Sequence, residues 1–334
     1  MTAKIKPAKG WPYARIRGVG GYRPTRAVPN EEILKHIDSS DEWIRSRSGI
    51  VSRHWAGPDE TIAEMTLAAS GKAIADAGIT ADQIGAVIIS TVSHFKQTPA
   101  IATEIAYRLG TAKAAAFDIS AACAGFGYGL TIAKGLVTEG SAEYVLVVGV
   151  ERLSDLTDRT DRSTAFLFGD GAGAVVIGPS KEPGIGPAVW GSEGDKKEAI
   201  EQTFSWEEYR EGSPEQFPAL RQEGQTVFRW AVFQMAKIAQ QALDAAGVKA
   251  EDLDVFIPHQ ANMRIIDSMV KTLKLPEHVK VARDVETTGN TSAASIPLAM
   301  ERLLATGEAK SGDTALLIGF GAGLVYAATV VTLP

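Results

Sequence analysis

One cysteine in 334 residues is the first place to look for covalent chemistry. Cys123 lies in Phe-Asp-Ile-Ser-Ala-Ala-Cys-Ala-Gly-Phe (117–126), where a strand-like run gives way to a helical one. A thiol at a helix start feels the partial positive charge of unpaired N–H groups, which favours thiolate. Its small neighbours Ala121, Ala122, Ala124 and Gly125 leave room for a bulky group to reach the sulfur. A buried structural cysteine, acting as a small hydrophobe, is the competing reading. His259, in Ile-Pro-His-Gln-Ala-Asn-Met-Arg (257–264), follows an apolar run directly, at a strand end where α/β proteins place their chemistry. A structural histidine would look the same. Asn290, in Thr-Thr-Gly-Asn-Thr-Ser-Ala-Ala-Ser (287–295), can offer its amide to a developing oxyanion or simply make a turn and helix cap. The turn Gly-Phe-Gly-Ala-Gly (319–323) exposes backbone N–H groups, the usual use of glycine near a ligand, although such turns are often only structural.

These residues need a scaffold, and the hydrophobic pattern describes one. Apolar runs at 86–90, 144–148, 174–177, 255–257 and 315–318 read as buried strands. Helical stretches lie at 61–77, 100–109, 125–137, 227–246 and 261–273. Alternation of this kind implies an α/β protein with helices over a largely parallel sheet. Residues 74–89 align with 243–258, four positions identical and four exchanged like for like. Gly-Ala-Gly-Ala-Val (171–175) likewise echoes Gly-Ala-Gly-Leu-Val (321–325). Both point to a duplicated fold with a boundary near residue 180. Pairing Asp118-Ile119 with Asp284-Val285 puts Asn290 within a residue of the place Cys123 holds in the first half. Residues 193–223 break the rhythm with acidic residues and four aromatics, Phe204, Trp206, Tyr209 and Phe217. They form either a solvated excursion or a loop over a pocket.

Composition narrows the chemistry. A lone cysteine excludes an intramolecular disulfide, a Cys-based zinc or iron–sulfur site, and any mechanism with two thiols in one site. The five histidines are scattered and no His-Glu-x-x-His pair occurs, so no metal site is expected. Neither glycine turn completes the dinucleotide fingerprint, and no P-loop or serine-hydrolase elbow is present. Net charge is −6, which argues against a nucleic-acid partner. Residues 1–10 carry three lysines without an apolar stretch, and no 18-residue apolar run exists, so a cytoplasmic protein with no membrane partner is expected.

Taken together, Ser-Asp-Glu-Trp-Ile-Arg-Ser-Arg-Ser-Gly-Ile (40–50), Ala-Ala-Cys-Ala-Gly (121–125), Phe-Gly-Asp-Gly-Ala-Gly (168–173), Pro-His-Gln-Ala-Asn (258–262) and Gly-Asn-Thr-Ser-Ala-Ala (289–294) resemble the β-ketoacyl-[acyl-carrier-protein] synthase III family of thiolase-fold condensing enzymes. The set Cys123, His259 and Asn290 resembles this branch rather than chain-elongating synthases with Cys–His–His, and thiolases use a second cysteine that this chain lacks. The resemblance implies a five-layered α-β-α-β-α fold of two pseudo-twofold-related halves. It divides the chain into a flexible extension (1–12), a half with the nucleophile (13–180) and a half with the histidine and asparagine (181–334).

The implied activity joins an acyl-CoA primer to malonyl-[acyl-carrier protein] through an acyl-Cys123 intermediate, with loss of CO₂ and no tightly bound cofactor. His259 and Asn290 would hold the malonyl thioester carbonyl, and the amides of Cys123 and Ala322 the oxyanion. Many relatives have glycine where Ala322 stands, so its backbone angle must suit a Cβ. Trp43, Arg47, Arg162 and Asn262 match CoA-binding positions. Arg264 and Lys271, seven residues apart on one helix face, could dock an acidic carrier protein together with Arg229, or form an ordinary solvated face. Thr98 aligns with a phenylalanine that closes the acyl pocket across a homodimer interface in short-primer enzymes, so a longer or branched primer is expected. Two other functions remain open: acyl transfer from Cys123 to an oxygen, nitrogen or sulfur acceptor, and a non-catalytic partner subunit.

Overall fold

The computed structural model describes residues 4–111, 113–212 and 217–334; residues 1–3 of the extension and 213–216 of the aromatic excursion lie outside them. Apolar runs such as Val145 to Val150 are buried on both faces, which suits strands covered on two sides rather than a half-exposed sheet. Ten strands make two sheets. The first holds β1 (Tyr13–Tyr22), β2 (Ile84–Ser90), β3 (Ala115–Ile119), β4 (Tyr144–Arg152) and β5 (Asp170–Ser180) in the order β1-β5-β4-β2-β3. The second holds β6 (Val189–Ser192), β7 (Val255–Pro258), β8 (Lys280–Val281), β9 (Thr314–Gly321) and β10 (Val325–Thr332) in the order β6-β10-β9-β7-β8.

The two sheets repeat one pattern. In each, three strands run parallel (β3, β2, β4 and β8, β7, β9) and two are added antiparallel. The expected largely parallel sheet is thus two mixed sheets. Because β9 and β10 are joined by only three residues, they can pair only antiparallel.

Helices complete five layers. α1 (Asp41–Ser48) joins an apolar cap beside the sheets, while α2 (Ile62–Asp76) and α3 (Ile101–Leu109) cover the outer face of the first. α4 (Gly125–Glu139) lies between the sheets. α5 (Gly224–Trp230) continues through a π-helical turn into α6 (Ala236–Ala246), which with α7 (Met263–Leu273) covers the second sheet. α8 (Ser295–Thr306) returns to the middle beside α4. This is the duplicated thiolase-type α/β fold. We propose the boundary between the halves at 180–181, where β5 ends. Gly10 and Trp11 of the extension lie against the end of α4, with Trp11 N–H donating to Val137 O at 3.4 Å.

Two details of the repeat differ from the sequence alignment. A one-turn 3₁₀ segment opens each central helix, Ala122–Ala124 before α4 and Ser292–Ala294 before α8, and each begins on a left-handed residue (φ 43° at Ala122, 48° at Ser292). Cys123 therefore corresponds to Ala293, and Asn290 to Ser120, three residues before the cysteine. The two glycine stretches do not correspond either: Gly171 and Gly173 lie inside β5, whereas Gly321 ends β9.

The central layer explains why α4 is rich in glycine despite glycine's poor helix propensity. A Cβ at Gly129 would stand 2.8 Å from Val147 Cγ1 of the first sheet, and one at Gly127 would stand 2.8 Å from Ala327 Cβ of the second. Gly135, on the same helix, has nothing within 4 Å. Alanine in a helix gains about 1 kcal/mol over glycine, and overpacking costs about 1–3 kcal/mol. Gly135→Ala should accordingly raise the urea midpoint, whereas Gly129→Ala should lower it by the equivalent of about 1–2 kcal/mol.

Candidate active site

Cys123, His259 and Asn290 line one cavity of about 680 Å³, although they come from three separate stretches of chain. β3 delivers Cys123 through Ser120 and Ala121, and its exposed surface faces the cavity. His259 is the residue after β7, and its N–H donates to Ile318 O of the neighbouring β9 (2.7 Å). Asn290 is fixed through its backbone, which bonds to Leu167 O at 2.8 Å and accepts from Gly169 N–H at 3.0 Å. The motif Phe-Gly-Asp-Gly-Ala-Gly thus holds the asparagine loop in place.

Local bonding sets what each side chain can offer. Asn290 Oδ1 accepts from Ser292 N–H (2.8 Å), which leaves the Nδ2 amide free to donate into the cavity. His259 Nδ1 lies 2.7 Å from Ser295 Oγ, and that oxygen also accepts from Gln260 N–H (3.3 Å). With the Ser295 hydroxyl donating to Nδ1, the proton of neutral His259 sits on Nε2, as a donor. Burial pushes the His259 pKa down to about 3, which keeps the ring neutral. The edge of Phe320 packs on the ring, with centroids 5.2 Å apart.

At the thiol, burial opposes the helix start. Burial pushes Cys123 up to about 12, with the Glu151 carboxyl adding to the rise and Ser292 opposing it. Desolvation and the helix start thus act on this sulfur in opposite directions, and its surface opens onto the cavity. Gly321 comes very close: a Cβ there would stand 2.8 Å from Cys123 Cβ and 3.0 Å from Sγ. Next to it, Ala322 lines the same cavity. Among the described residues other than glycine, φ is positive only at Ala122, Lys274 and Ser292, so Ala322 carries its Cβ without left-handed strain.

The remaining candidates fall outside the cavity wall. Trp43 on α1 is half-buried, edge-on to Phe166 (5.4 Å), with the guanidinium groups of Arg162 and Arg47 at 4.8 and 5.9 Å from its ring. It shares an apolar cluster with Leu153, Leu156 and Phe168, which do line the cavity. Asn262 is occupied at both ends, accepting from Arg264 N–H (2.9 Å) and donating to Arg47 O (3.0 Å). It ties α1 to α7. Arg229, Arg264 and Lys271 are exposed, and Arg264 lies over Phe228 at 4.7 Å. Thr98 is exposed and does not line the cavity of its own chain.

The aromatic excursion covers a pocket. Ile200–Gln202 pairs with Leu220–Gln222, and Ile200, Trp206 and Leu220 line the cavity. Phe95, Trp206, Tyr209 and Phe217 pack edge to face or tilted, with centroids 5.2–5.9 Å apart, and Phe95 and Trp206 line the cavity. Sequence reasoning missed Ser295 and Ser292, which bond to His259 and Asn290 and which nothing local marks. Among the described residues no group of three or more His, Cys, Asp or Glu could hold a metal ion, and no helix is long and apolar enough to cross a membrane.

Two α/β halves with a cysteine at the start of one central helix define the thiolase-type condensing enzymes as a class. Within it, residues 117–194 match the family 3-oxoacyl-[acyl-carrier-protein (ACP)] synthase III and residues 243–333 its C-terminal family. The chain is 81% identical to β-ketoacyl-[acyl-carrier-protein] synthase III of Streptomyces glaucescens, over 99% of this chain and 100% of that one. It is 54% identical to the mycobacterial β-ketoacyl-[acyl-carrier-protein] synthase III of Mycobacterium marinum, over 99% of each. Among solved structures, the priming β-ketosynthase of the R1128 polyketide biosynthetic pathway superposes with a TM-score of 0.95 at 48% identity, covering 99% of this chain and 98% of that one. The chain belongs to the β-ketoacyl-[acyl-carrier-protein] synthase III family, acyltransferases that initiate fatty-acid or polyketide chains.

A neutral buried histidine makes the fold acid-sensitive. The unfolded chain binds a proton near the ordinary pKa of 6.5 and the folded one near 3, so this stability is present above 6.5 and lost as pH falls towards 3. Replacing His259→Asn should move the acid-unfolding midpoint, read by circular dichroism, to lower pH.

Proposed function

We propose that this cavity carries out a two-stage decarboxylative condensation on Cys123. The observation that carries the reading is the convergence of a thiol, a neutral histidine donor and a free asparagine amide on one cavity. In the first stage the Cys123 sulfur attacks an acyl-CoA thioester, and the N–H groups of Cys123 and Ala322 stabilise the tetrahedral oxyanion. CoA leaves. In the second stage His259 Nε2–H and Asn290 Nδ2 donate to the thioester carbonyl of malonyl-[acyl-carrier protein]. Two neutral donors stabilise an enolate without protonating it, so CO₂ departs and the carbanion attacks the acyl-Cys. The product is a β-ketoacyl thioester on the carrier protein.

Binding assignments follow from the same geometry. Trp43 flanked by Arg47 and Arg162 offers an aromatic face and two cations for the nucleotide end of CoA. Asn262 supports that end by holding α1 to α7 rather than by touching the ligand. Exposed Arg229, Arg264 and Lys271 present positive charge to an acidic carrier protein. β3 is an edge strand that leads straight to Cys123, and an unpaired edge there suits a second copy of the chain. In such a homodimer Thr98 would reach the partner's cavity, and its small side chain leaves space for a longer or branched primer. We place the enzyme in the cytoplasm and assign it no tightly bound cofactor.

Incubation with a panel of straight and branched acyl-CoAs, followed by intact mass and peptide mapping, should find the acyl group on Cys123 and nowhere in Cys123→Ala. His259→Ala and Asn290→Ala should keep the adduct but lose CO₂ release from malonyl-carrier protein by about 10²-fold or more. Adduct without CO₂ release in the unaltered protein would mean simple acyl transfer. Thr98→Phe should retain acetyl labelling and lose the longer primers; an unchanged primer profile would refute the pocket assignment.

A further inference from the structure

The second stage needs two donors at one fixed spacing, and they come from separate stretches of chain. Misplacing a reacting group by about 1 Å can cost about 10²-fold in rate, so that spacing has to be held. One buried side chain lies between the two stretches. Gln260 follows His259 directly, is fully buried, and uses both N–H groups and the oxygen of its amide. Nε2 donates to Pro258 O at 2.7 Å and to Ala282 O at 3.2 Å. These carbonyls stand just past the last paired residues of β7 and β8, where a donor is all that they require. The oxygen has a different partner: Oε1 accepts from Val285 N–H at 3.1 Å.

That third bond leads to the asparagine. Val285 opens the helical turn Val285–Thr288, and its carbonyl accepts from Gly289 N–H at 3.1 Å. Gly289 precedes Asn290. Two hydrogen bonds therefore join the residue after His259 to the residue before Asn290. A second path closes the ring. Gln260 N–H donates to Ser295 Oγ (3.3 Å), the oxygen bonded to His259 Nδ1. The 3₁₀ turn before Ser295 begins at Ser292, whose N–H holds Asn290 Oδ1 at 2.8 Å. Capping two strand ends explains the Nε2 bonds; it does not explain an oxygen that reaches the asparagine's segment.

We propose that Gln260 is the positioning residue that fixes the spacing of His259 Nε2–H and Asn290 Nδ2. This rests on those two donors acting together in the decarboxylating stage. Gln260 does not line the cavity and acts through the backbone on either side of it. Acylation of Cys123 uses neither donor, so the brace serves the second stage alone.

Gln260→Glu keeps the shape and makes the brace depend on a proton. Protonated, the carboxyl accepts from Val285 N–H and donates to one carbonyl; ionised, it donates to neither and faces both. Burial among carbonyl oxygens raises the pKa of a carboxyl placed there. Its chain neighbour His259 stays neutral, and Asp284, next to Val285, is paired with Arg23 (3.3 Å) and Arg302 (2.7 Å). A loss with rising pH therefore belongs to the introduced carboxyl.

Two rates of the full-length protein, followed between pH 5.5 and 9, test this. One is single-turnover acylation by the fastest-labelling acyl-CoA of the panel, read by intact mass. The other is CO₂ release when the acyl-enzyme meets a malonyl-loaded acyl carrier protein. Relative to the unaltered enzyme, CO₂ release by Gln260→Glu should fall about 10²-fold from the acid to the alkaline end, with acylation kept within about threefold. Gln260→Met, apolar and of similar length, should lose CO₂ release by about 10²-fold at every pH and keep acylation. It decides the matter if Gln260→Glu does not fold. Parallel loss of both rates, or unchanged CO₂ release in either variant, overturns the positioning role and leaves the condensation standing. No CO₂ release from the unaltered enzyme overturns both.

Discussion

The contact between Gly321 and Cys123 is the constraint on which the site depends. It is where the second half of the chain reaches the nucleophile of the first, and only a residue without a side chain fits between them. The contact requires β9 to end opposite the start of α4, and therefore requires both sheets to pack on one shared layer of helices. That layer is thin because α4 presents glycine to both sheets. Side-chain volume in the middle of the molecule thus sets how far the thiol stands from the groups that must act on what it carries.

Desolvation then assigns the roles. The same burial raises the thiol and the Glu151 carboxyl and lowers the imidazole, because in each case it disfavours the charged form. For His259 the outcome is useful at once, since a neutral ring with its proton on Nε2 donates without giving the proton away. For Cys123 the outcome is a difficulty, since the reacting form is the one that burial penalises.

Much of this was legible before the structure. Continuous apolar runs located five buried strands, and the glycine stops Gly78 and Gly247 located the ends of two of the helices between them. The match of 74–89 with 243–258 was sound because it rests on a complete helix–turn–strand unit, where spacing is fixed by geometry. The glycine echo misled because glycine recurs for unrelated reasons: Gly173 makes room for Pro297, whereas Gly321 makes room for Cys123. The opposition between burial and the helix start at Cys123 was not legible either. A helix start is visible in sequence; the depth at which it is buried is not.

Ser295 and Ser292 show the limit most clearly. They stand three residues apart in a run of small residues, one bonded to His259 and the other donating its backbone N–H to Asn290, with nothing local to mark either. Their positions follow from the duplication. The 3₁₀ turn before α8 repeats the turn that carries Cys123, and Ser292 occupies the left-handed position that Ala122 holds in the first half. One copy of the turn presents the nucleophile, and the other holds Asn290 by a backbone N–H and leads into the serine that bonds the histidine. A fold made of two similar halves thus became asymmetric in its chemistry while keeping one backbone, because the two turns meet across the pseudo-twofold axis with different side chains.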